Sequence, residues 1–575
     1  MTFNKYPSVR VNGSEKTFAQ GWENINTQLL QSINGKPNAT IVVECYQGVH
    51  QNEIMNGLNG FDHVFDSRKA FKSEEEILKL TYPDVTDDRI FGVISNLNME
   101  HFIDDKKAIQ LAREIAEAPY GTKLVIGPGA SHIMEYHDVL VYADMARWEI
   151  QLRMRKNEVP NLGLHNCNDT FERQYKIGYF VDWRVCDKLK NQLMQKWDYV
   201  LDTNKPNDPK LATGKSINQT LKSAVNQPFS VVPFFDPGPW GGQWMKDVCN
   251  LDKSQDNFAW CFNCVPEENS LLIEYDNGLF EIPSINLVFQ QPEALLGKSV
   301  YERFGAEFPI RFDFLDTIDG GNLSLQVHPL THYIKDKFGV EYTQDESYYM
   351  MDASEEATVY LGLQENTNSD EMIDALKEAQ SSGKIFDADS YAKAWPAKKH
   401  DHFLIPAGTV HCSGEGCMVL EISATPYIFT FKLWDWGRVG LDGKPRPINI
   451  EHGEQVIQWD RKPEWTEKNL INRIEEVAIG DGWKEEKTGL HELEFIETRR
   501  FWFTKQVFND TNGTVNVLCL VEGEQVVVES PDNAFEPFLV NYAEVFIVPA
   551  AVGKYTISPV KETNKEYGII KAYIR

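Results

Sequence analysis

Four side chains in the central part of the chain are of types that bind divalent metal ions. Gln326 and His328 lie two residues apart, and alternate residues of a strand point to the same face, so one strand offers two ligands. Glu346 follows after a short polar segment, and His411 comes just past a Pro-Ala-Gly turn. Two imidazoles, a carboxylate and an amide oxygen suit zinc or another divalent first-row metal. The pattern therefore predicts a metal site formed by these four residues.

The segments around these residues predict a mainly β architecture. Short strand-like runs separated by Gly, Asn and Pro extend over residues 231–453, and one of them covers residues 285–289. An amphipathic helix over residues 370–380 is predicted to interrupt the strands. Alternating strands follow over residues 493–574. Many short strands of this kind indicate β-sandwiches or barrels.

The first part of the chain alternates strands and helices. Strands are predicted over residues 39–45, 90–94, 123–126 and 139–143, which indicates a parallel α/β sheet. The turn after the first strand stands where a nucleotide-binding P-loop would lie. Residues 48–54, however, contain one glycine, no lysine, and a glutamate whose charge would repel phosphate. We therefore expect a degenerate P-loop-like domain that does not bind ATP.

Taken together, the motifs of the central segment resemble class I mannose-6-phosphate isomerases, which are metal-dependent tandem cupins. The motifs that carry the resemblance over residues 231–453 are Trp-Gly-Gly at 240–242, Gln-x-His-Pro at 326–329 and Ile-Pro-Ala-Gly-Thr-Val-His at 405–411. In addition, Trp-Asp-Trp-Gly-Arg at 434–438 is similar to the Tyr-Asp-x-Gly-Arg segment of that family. The resemblance implies a zinc ion held by Gln326, His328, Glu346 and His411. It also implies interconversion of mannose 6-phosphate and fructose 6-phosphate through an enediol(ate).

The resemblance also indicates which residues act on the substrate. Short bacterial enzymes carry an arginine just before the Tyr-Asp-x-Gly-Arg segment, and Lys432 occupies that place here, one residue further from His411. Lysine keeps the positive charge but lacks the planar fork of arginine. We expect Lys432 to stabilise the enediolate, with Arg438 as a second cation. His328 and Glu346 are candidates for proton transfer.

Other positions near the site are less well defined by sequence. Gln344 falls where many relatives carry a lysine. Three lysines are candidates for binding the substrate phosphate, and the sequence does not choose among Lys246, Lys335 and Lys337.

Two further resemblances concern the ends of the chain. Residues 138–144, with the arginines that follow, are similar to the late strand and lid region of small P-loop kinases of the uridine-kinase type. Residues 545–554 repeat the form of residues 401–411, with Lys554 in the place of His411. This implies a second cupin-like barrel without a metal. The predicted domains are a degenerate P-loop kinase-like α/β domain (1–228), a metal-binding catalytic cupin domain (229–455) and a metal-free cupin-like domain (456–575).

Composition restricts the partners. The 575 residues carry a formal net charge of -28, which argues against nucleic acid and leaves a small sugar phosphate as the expected ligand. The start of the chain lacks the apolar core of a secretory signal, and apolar runs are too short to span a membrane. Nine scattered cysteines suit a reducing compartment, so a cytoplasmic protein is expected. Alternative hypotheses are a non-catalytic sugar-phosphate sensor and a metal cupin of other chemistry, such as an iron dioxygenase.

Overall fold

The computed structural model describes residues 3–11, 13, 15–426, 428–439, 446, 448–489, 491–561 and 565–575. The chain forms two compact units. The N-terminal unit comprises Ser8–Ala224 and Pro266–Gln291, and the C-terminal unit comprises Met1–Pro7, Val225–Val265 and Pro292–Arg575. Residues 266–291, placed in the central domain by sequence, thus belong to the N-terminal unit. No described helix is long and apolar enough to cross a membrane.

The N-terminal unit is built on a seven-stranded sheet in which the five strands from Tyr199–Asp202 to His63–Asp66 are parallel. This confirms the parallel α/β sheet that the sequence predicts, although not the number of strands. In spatial order its strands are Ala19–Gln20, Lys210–Thr213, Tyr199–Asp202, Val139–Asp144, Thr40–Cys45, Lys123–Gly127 and His63–Asp66. The strands at its centre are buried along their whole length because helices cover parallel sheets. A second, three-stranded sheet contains Ser8–Arg10, Ser270–Tyr275 and Gly278–Pro283.

The helices of this unit follow the strands in an alternating order. The α-helices are Trp22–Ser32, Gln51–Gly57, Glu74–Val85, Asp105–Glu117, Ala130–Ile133, Arg147–Arg155, Phe171–Ile177, Trp183–Leu193, Gly214–Ala224 and Ile285–Gln290. Short 3₁₀ segments cover Ser67–Ala70 and Met99–Phe102, and a π-helical turn covers Gly178–Asp182.

Two strand predictions in this unit are wrong. Residues 90–94 adopt no regular structure, and residues 285–289 lie in the helix Ile285–Gln290. A short apolar run does not distinguish a buried strand from a buried helix. In that helix Ile285, Asn286, Leu287 and Val288 are all buried, so burial on several faces removes the periodicity that would mark it as helical.

The C-terminal unit contains two pairs of sheets. The first pair has a six-stranded sheet, formed by His402–Ile405, Glu346–Ala353, Cys417–Ala424, Ile310–Asp316, Trp260–Cys264 and Phe234–Asp236. Its five-stranded partner is formed by Ala392–Pro396, Thr358–Leu363, His411–Ser413, Leu325–Val327 and Phe431–Trp434.

The second pair of sheets lies later in the chain. A six-stranded sheet is formed by Glu475–Gly480, Trp483–Gly489, Ile496–Phe503, Tyr567–Ile574, Asn516–Glu522 and Val545–Val548. A four-stranded sheet is formed by Val507–Asp510, Lys554–Pro559, Gln525–Glu529 and Phe538–Asn541. Leu518 and Phe546 from the first sheet share one apolar core with Val526 and Tyr555 from the second.

Helices of the C-terminal unit connect the strands. They are Trp244–Val248, Pro292–Leu296, Lys298–Phe304, Thr331–Phe338, Ser369–Ser382, Ile450–Gly453 and Pro463–Leu470, with 3₁₀ segments at Ala388–Ser390 and Ala550–Val552. The helix Ser369–Ser382 confirms the predicted helical insertion. Asn368 caps it by accepting from the Glu371 backbone N–H at 3.1 Å, and Gly383 ends it in the left-handed conformation.

Candidate metal centre

Three neighbouring strands of the five-stranded sheet bring predicted site residues side by side. Gln326 is paired with His411 on one side and with Lys432 on the other. Directly opposite residues of antiparallel strands point to the same face, and His328, two residues after Gln326, shares it. Glu346 begins a strand of the six-stranded sheet of the same pair. The site is therefore assembled from both sheets.

The carboxylate of Glu346 lies between the two imidazoles. Its Oε2 is 3.0 Å from Nε2 of His328, and its Oε1 is 2.9 Å from Nε2 of His411. The amide of Gln326 is 3.2 Å from the same His411 nitrogen. Ligand atoms of His328, Glu346 and His411 all lie within 4.8 Å of one another, and these side chains are fully buried. The four predicted ligands thus come together in one cluster.

Backbone carbonyls fix the tautomer of each imidazole. Nδ1 of His328 is 3.1 Å from the Phe429 carbonyl oxygen, and Nδ1 of His411 is 2.9 Å from the Thr409 carbonyl oxygen. A carbonyl oxygen only accepts, so each Nδ1 carries the hydrogen and donates it. In a neutral ring the Nε2 atom then keeps its lone pair. Both lone pairs are directed at the Glu346 carboxylate.

This donor set fits a bound cation. Lone pairs on nitrogen and on carboxylate oxygen repel at about 3 Å unless positive charge lies between them. Nε2 of His328 and Oε1 of Glu346 are buried without a hydrogen-bond partner among the described residues. Burial acts to raise the pKa of the Glu346 carboxyl, but positive charge beside it, supplied by protonated His328 and His411 when no metal ion is bound, holds that pKa well below its ordinary value. His328, Glu346, His411 and Gln326 therefore form a site able to hold a divalent metal ion.

A glycine in the turn before His411 couples two of the ligand segments. Gly408 has φ +85°, and a Cβ there would approach the Val456 carbonyl oxygen to 2.8 Å. Its N–H donates to the carbonyl oxygen of His328 at 2.9 Å. The Pro-Ala-Gly turn therefore sets the position of His411 relative to His328, and only glycine fits at that point.

Two charged residues hold the same turn, and the sequence analysis did not identify either. Oδ1 of Asp345 accepts from the Ala407 N–H at 2.7 Å. Nη1 of Arg461 donates to the Pro406 carbonyl oxygen at 2.7 Å and also to Oγ1 of Thr409. Asp345 stands next to a predicted ligand, which is a weak signal in the sequence. Arg461 lies outside every motif, and only the fold brings it to the turn.

A buried charge network lies behind the ligand carboxylate. Nε2 of Gln344 donates to Oε2 of Glu346 at 3.0 Å and lies 3.5 Å from Oε1 of Glu421. The guanidinium of Arg311 pairs with Asp313 at 2.8 Å and with Glu421 at 2.5 Å. Gln344 thus donates to the ligand carboxylate from the edge of this network and orients it.

The two predicted cations differ in their surroundings. Lys432 is half-buried, and its partial removal from water, followed by the nearby Arg446, lowers the pKa of its ammonium to about 8. Arg438 donates through Nη1 to Oδ1 of Asp435 at 3.0 Å and through Nη2 to the Asn322 carbonyl oxygen at 2.6 Å. The Arg438 guanidinium is therefore engaged in structural contacts, and its catalytic role stays a prediction.

The candidate phosphate ligands lie on the surface or pair locally. Lys335 pairs with Glu341 at 2.6 Å, Lys246 donates to the Gln255 carbonyl oxygen at 2.6 Å, and Lys337 is exposed. These contacts do not favour one lysine over the others.

The second pair of sheets repeats the segment that carries His411. His411 begins the strand His411–Ser413, and Lys554 begins the strand Lys554–Pro559 after a similar turn. Lys554 thus occupies the strand position that the sequence repeat predicts. Among the residues that the structure describes, His328, Glu346 and His411 form the one group of three or more His, Cys, Asp or Glu side chains close enough to share a metal.

The fold and the site together define a protein with a candidate metal site in paired β-sheets and an α/β unit in the same chain. Mannose-6-phosphate isomerase ManA of Bacillus subtilis (strain 168) is 24% identical over 241 residues, which are 42% of this chain and 71% of that protein. Mannose-6-phosphate isomerase of Streptococcus mutans serotype c is 26% identical over 220 residues, 38% of this chain and 64% of that protein. This chain is therefore homologous to mannose-6-phosphate isomerases over part of its length.

This chain was also compared with solved structures and with models of protein families. The crystal structure of mannose 6-phosphate isomerase from Bacillus subtilis is similar with a TM-score of 0.49 and 18% identity, covering 60% of this chain and 99% of that chain. Residues 21–226 match a family described as "Domain of unknown function (DUF8485)". That match covers most of the α/β portion of the chain and does not assign it a function.

Proposed function

We propose that the chain is a zinc-dependent aldose–ketose isomerase that interconverts mannose 6-phosphate and fructose 6-phosphate through an enediol(ate). The observation that carries the proposal is the convergence of two imidazole Nε2 atoms on one buried carboxylate, with Lys432 on the adjoining strand. The homologous proteins bear the name mannose-6-phosphate isomerase, which supports the choice of substrate.

The proposed metal ligands are Gln326, His328, Glu346 and His411, with one zinc per chain. When bound, zinc supplies a Lewis acid that stabilises negative charge on the sugar oxygens. The Nδ1–H bonds of both histidines to backbone carbonyls keep their Nε2 atoms available as ligands.

Lys432 is proposed to act on the reaction itself. Its ammonium stands on the face shared with Gln326 and His411 and stabilises the charge that develops on the enediolate oxygen. Arg438, whose guanidinium pairs with Asp435, is proposed as a second cation for the reaction. Proton removal from the carbon next to the carbonyl is assigned to His328 or Glu346, and the arrangement leaves this choice open.

The remaining parts of the proposal concern the rest of the chain. Residues 229–455, apart from residues 266–291, which belong to the N-terminal unit, and residues 456–575 are proposed as tandem cupin barrels. Residues 1–228 are proposed as an α/β domain that does not bind ATP. All nine cysteines are free, which supports a reducing, cytoplasmic location.

One assay tests the proposed activity. The purified chain is supplied with zinc, and formation of fructose 6-phosphate from mannose 6-phosphate is followed, with His411→Ala as the control. We expect turnover in the parent chain alone. Activity no higher than that of His411→Ala overturns the isomerase proposal.

A sugar-phosphate sensor is the second candidate function. It is favoured by one observation, the lysine at position 432. The resemblance to short bacterial isomerases implies an arginine at this position, just before their Tyr-Asp-x-Gly-Arg segment. A sensor would bind mannose 6-phosphate in the presence of zinc without converting it. Calorimetric titration alongside the turnover assay separates the two functions.

A further inference from the structure

The N-terminal unit contains a cavity that the metal centre does not use. Its volume is about 670 Å³, within the range of roughly 300–1,000 Å³ that accommodates small metabolites. It opens beyond the carboxyl end of the strand Thr40–Cys45, the central strand of the parallel sheet. Ligands of open α/β sheets bind in crevices at this end of the strands.

Cationic side chains of the cavity come from adjoining segments. Lys69 is exposed and has no partner among the described residues. Lys107 donates to the Phe71 carbonyl oxygen at 2.8 Å, and Lys72 donates to the His101 carbonyl oxygen. An ammonium group has three donors, so each of these contacts leaves two donors for a ligand. These lysines, Lys69, Lys72 and Lys107, form what we call the lysine cluster.

Arg68 and Glu74, two other charged residues of the lining, have contacts of their own. Arg68 is bound to Asp66 at 2.7 Å, which offsets its charge. The carboxylate of Glu74 accepts from the His165 N–H at 3.1 Å. The lysine cluster is therefore the part of the lining with positive charge to spare, in a chain whose net charge is -28.

Carboxylate groups also line the cavity. Glu158 lies 3.4 Å from Nε2 of His50, and Glu53 follows His50 by three residues in the chain. Carboxylate oxygens accept hydrogen bonds from hydroxyl groups and repel anions. Glu53 and Glu158 therefore suit the uncharged, hydroxyl-bearing portion of a ligand.

The glycine loop next to the cavity is not the anion site. Gly48 has φ +88°, and a Cβ there would lie 2.7 Å from Ile150, so packing alone accounts for the glycine. Its carbonyl oxygen accepts from Nη1 of the buried Arg153 at 2.9 Å. The loop is therefore held by contacts within the protein. We expect the anion to bind at the lysine cluster and not at this loop.

We propose that this cavity binds a hydroxyl-bearing organic monophosphate, with its phosphate at Lys69, Lys72 and Lys107 and its hydroxyl groups at Glu53 and Glu158. Compact ammonium groups bind phosphate as point charges. Sugar monophosphates and nucleoside monophosphates share this chemistry. The site is separate from the metal centre and does not depend on the isomerase function.

The proposal is tested by titrating the full-length chain with fructose 6-phosphate, uridine monophosphate and inorganic phosphate in a calorimeter. Lys69→Glu reverses the charge of the unpartnered lysine, Lys69→Arg preserves it, and Lys79→Glu makes the same reversal on an exposed helix residue outside the cavity. We expect at least one organic monophosphate to bind the parent, Lys69→Arg and Lys79→Glu alike. Lys69→Glu should weaken that binding at least about tenfold, because a hydrogen bond to a charged group is lost and repulsion replaces it.

The affinities of the three ligands, measured for the parent chain and for the variants, identify the class of ligand and test the location of the site. Stronger binding of uridine monophosphate assigns the site to nucleotides, and stronger binding of fructose 6-phosphate assigns it to sugar phosphates. Binding of inorganic phosphate with equal affinity would contradict a role for Glu53 and Glu158. Monophosphate binding that survives Lys69→Glu but is lost in His411→Ala belongs to the metal centre and overturns the proposal, as does the absence of binding by the parent chain.

Discussion

In the proposed reaction, Lys432 is the residue on which the chemistry depends most after the proposed metal ligands. It is paired across the sheet with Gln326, so it shares a face with the cluster. Partial burial lowers the pKa of its ammonium to about 8. Its charge is therefore present at neutral pH and is lost within the mildly alkaline range.

The Lys432→Arg variant should extend activity to higher pH. A lysine with a lowered pKa is charged below about 8 and becomes neutral as the pH rises through that value. Arginine stays protonated throughout. We expect kcat/KM of the parent to fall above pH 8 and that of Lys432→Arg to hold at pH 9.

The measurement is a profile of kcat/KM from pH 6 to pH 10 for both proteins. Substrate and zinc concentrations are kept constant. Alkaline limbs that coincide would show that the charge of residue 432 does not limit the reaction.

Gln344 should affect metal binding without being a ligand. Its Nε2 donates to Oε2 of Glu346 at 3.0 Å and orients the carboxylate. Removing an oriented partner of a ligand typically costs about 10- to 100-fold in metal affinity or activity. We expect Gln344→Ala to weaken zinc binding by about tenfold in competition with a chelator.

The exposed Gln380, on the helix Ser369–Ser382, provides the matched control. Gln380→Ala removes the same side chain far from any ligand contact. Equal zinc affinity in Gln344→Ala and Gln380→Ala would refute the orienting role of Gln344.

The turn before His411 is held in place by residues from other segments of the chain. The Pro406 carbonyl oxygen accepts from Arg461, and the Ala407 N–H donates to Asp345. These bonds come from segments before and after the turn in the chain. The turn therefore depends on tertiary structure as well as on its own Pro and Gly.

Arg461→Ala should lower stability by about 2 kcal/mol, since hydrogen bonds to charged groups contribute roughly 1.5–3 kcal/mol and their buried acceptors are left unpaired. It should also weaken zinc binding because the turn positions His411. Urea denaturation and chelator competition measure the two effects. Arg473→Ala, at an exposed position, is the control, and an equal loss of stability in both variants would contradict the account.

Much of this arrangement could be predicted from sequence, and the rest could not for physical reasons. The ligand positions follow from local patterns, because the period of a strand places Gln326 and His328 on one face. The contact of Arg461 with Pro406 joins residues far apart in the chain, so no local pattern indicates it. The contact of Gln344 with Glu346 depends on the direction of the two side chains. The sequence predicts a strand where the helix Ile285–Gln290 forms, because burial on several faces hides the helical periodicity of its apolar residues.

Buried carboxyl groups make the free energy of unfolding of the protein depend on pH. Burial raises the pKa of Asp182 to about 7, although the Asn161 side chain and the Leu162 N–H donate to it. Between its unfolded value near 3.8 and about 7, the native state binds the proton that the unfolded state has lost. The contribution of Asp182 to the free energy of unfolding therefore falls as the pH rises through this window.

Asp182→Asn should reduce this dependence. Asparagine keeps an acceptor for Asn161 and Leu162 but never ionises, so the variant should gain stability relative to the parent at pH 8 and not at pH 4. The difference is on the order of 4 kcal/mol, because the pKa rises from 3.8 to about 7 and each unit of pKa is worth about 1.4 kcal/mol. Unfolding measured from pH 4 to pH 8 checks it, and parallel curves for the two proteins would count against a raised pKa.

We propose that one zinc ion, held by Gln326, His328, Glu346 and His411, supports isomerisation. The decisive measurement is a titration of zinc into the metal-stripped chain in which bound zinc and conversion of mannose 6-phosphate are followed in the same samples. We expect turnover to rise in proportion to bound zinc, to saturate at one zinc per chain and to be absent from His411→Ala. A chain that binds one zinc and converts no mannose 6-phosphate, or one that is equally active without zinc, would show that this zinc ion does not support isomerisation.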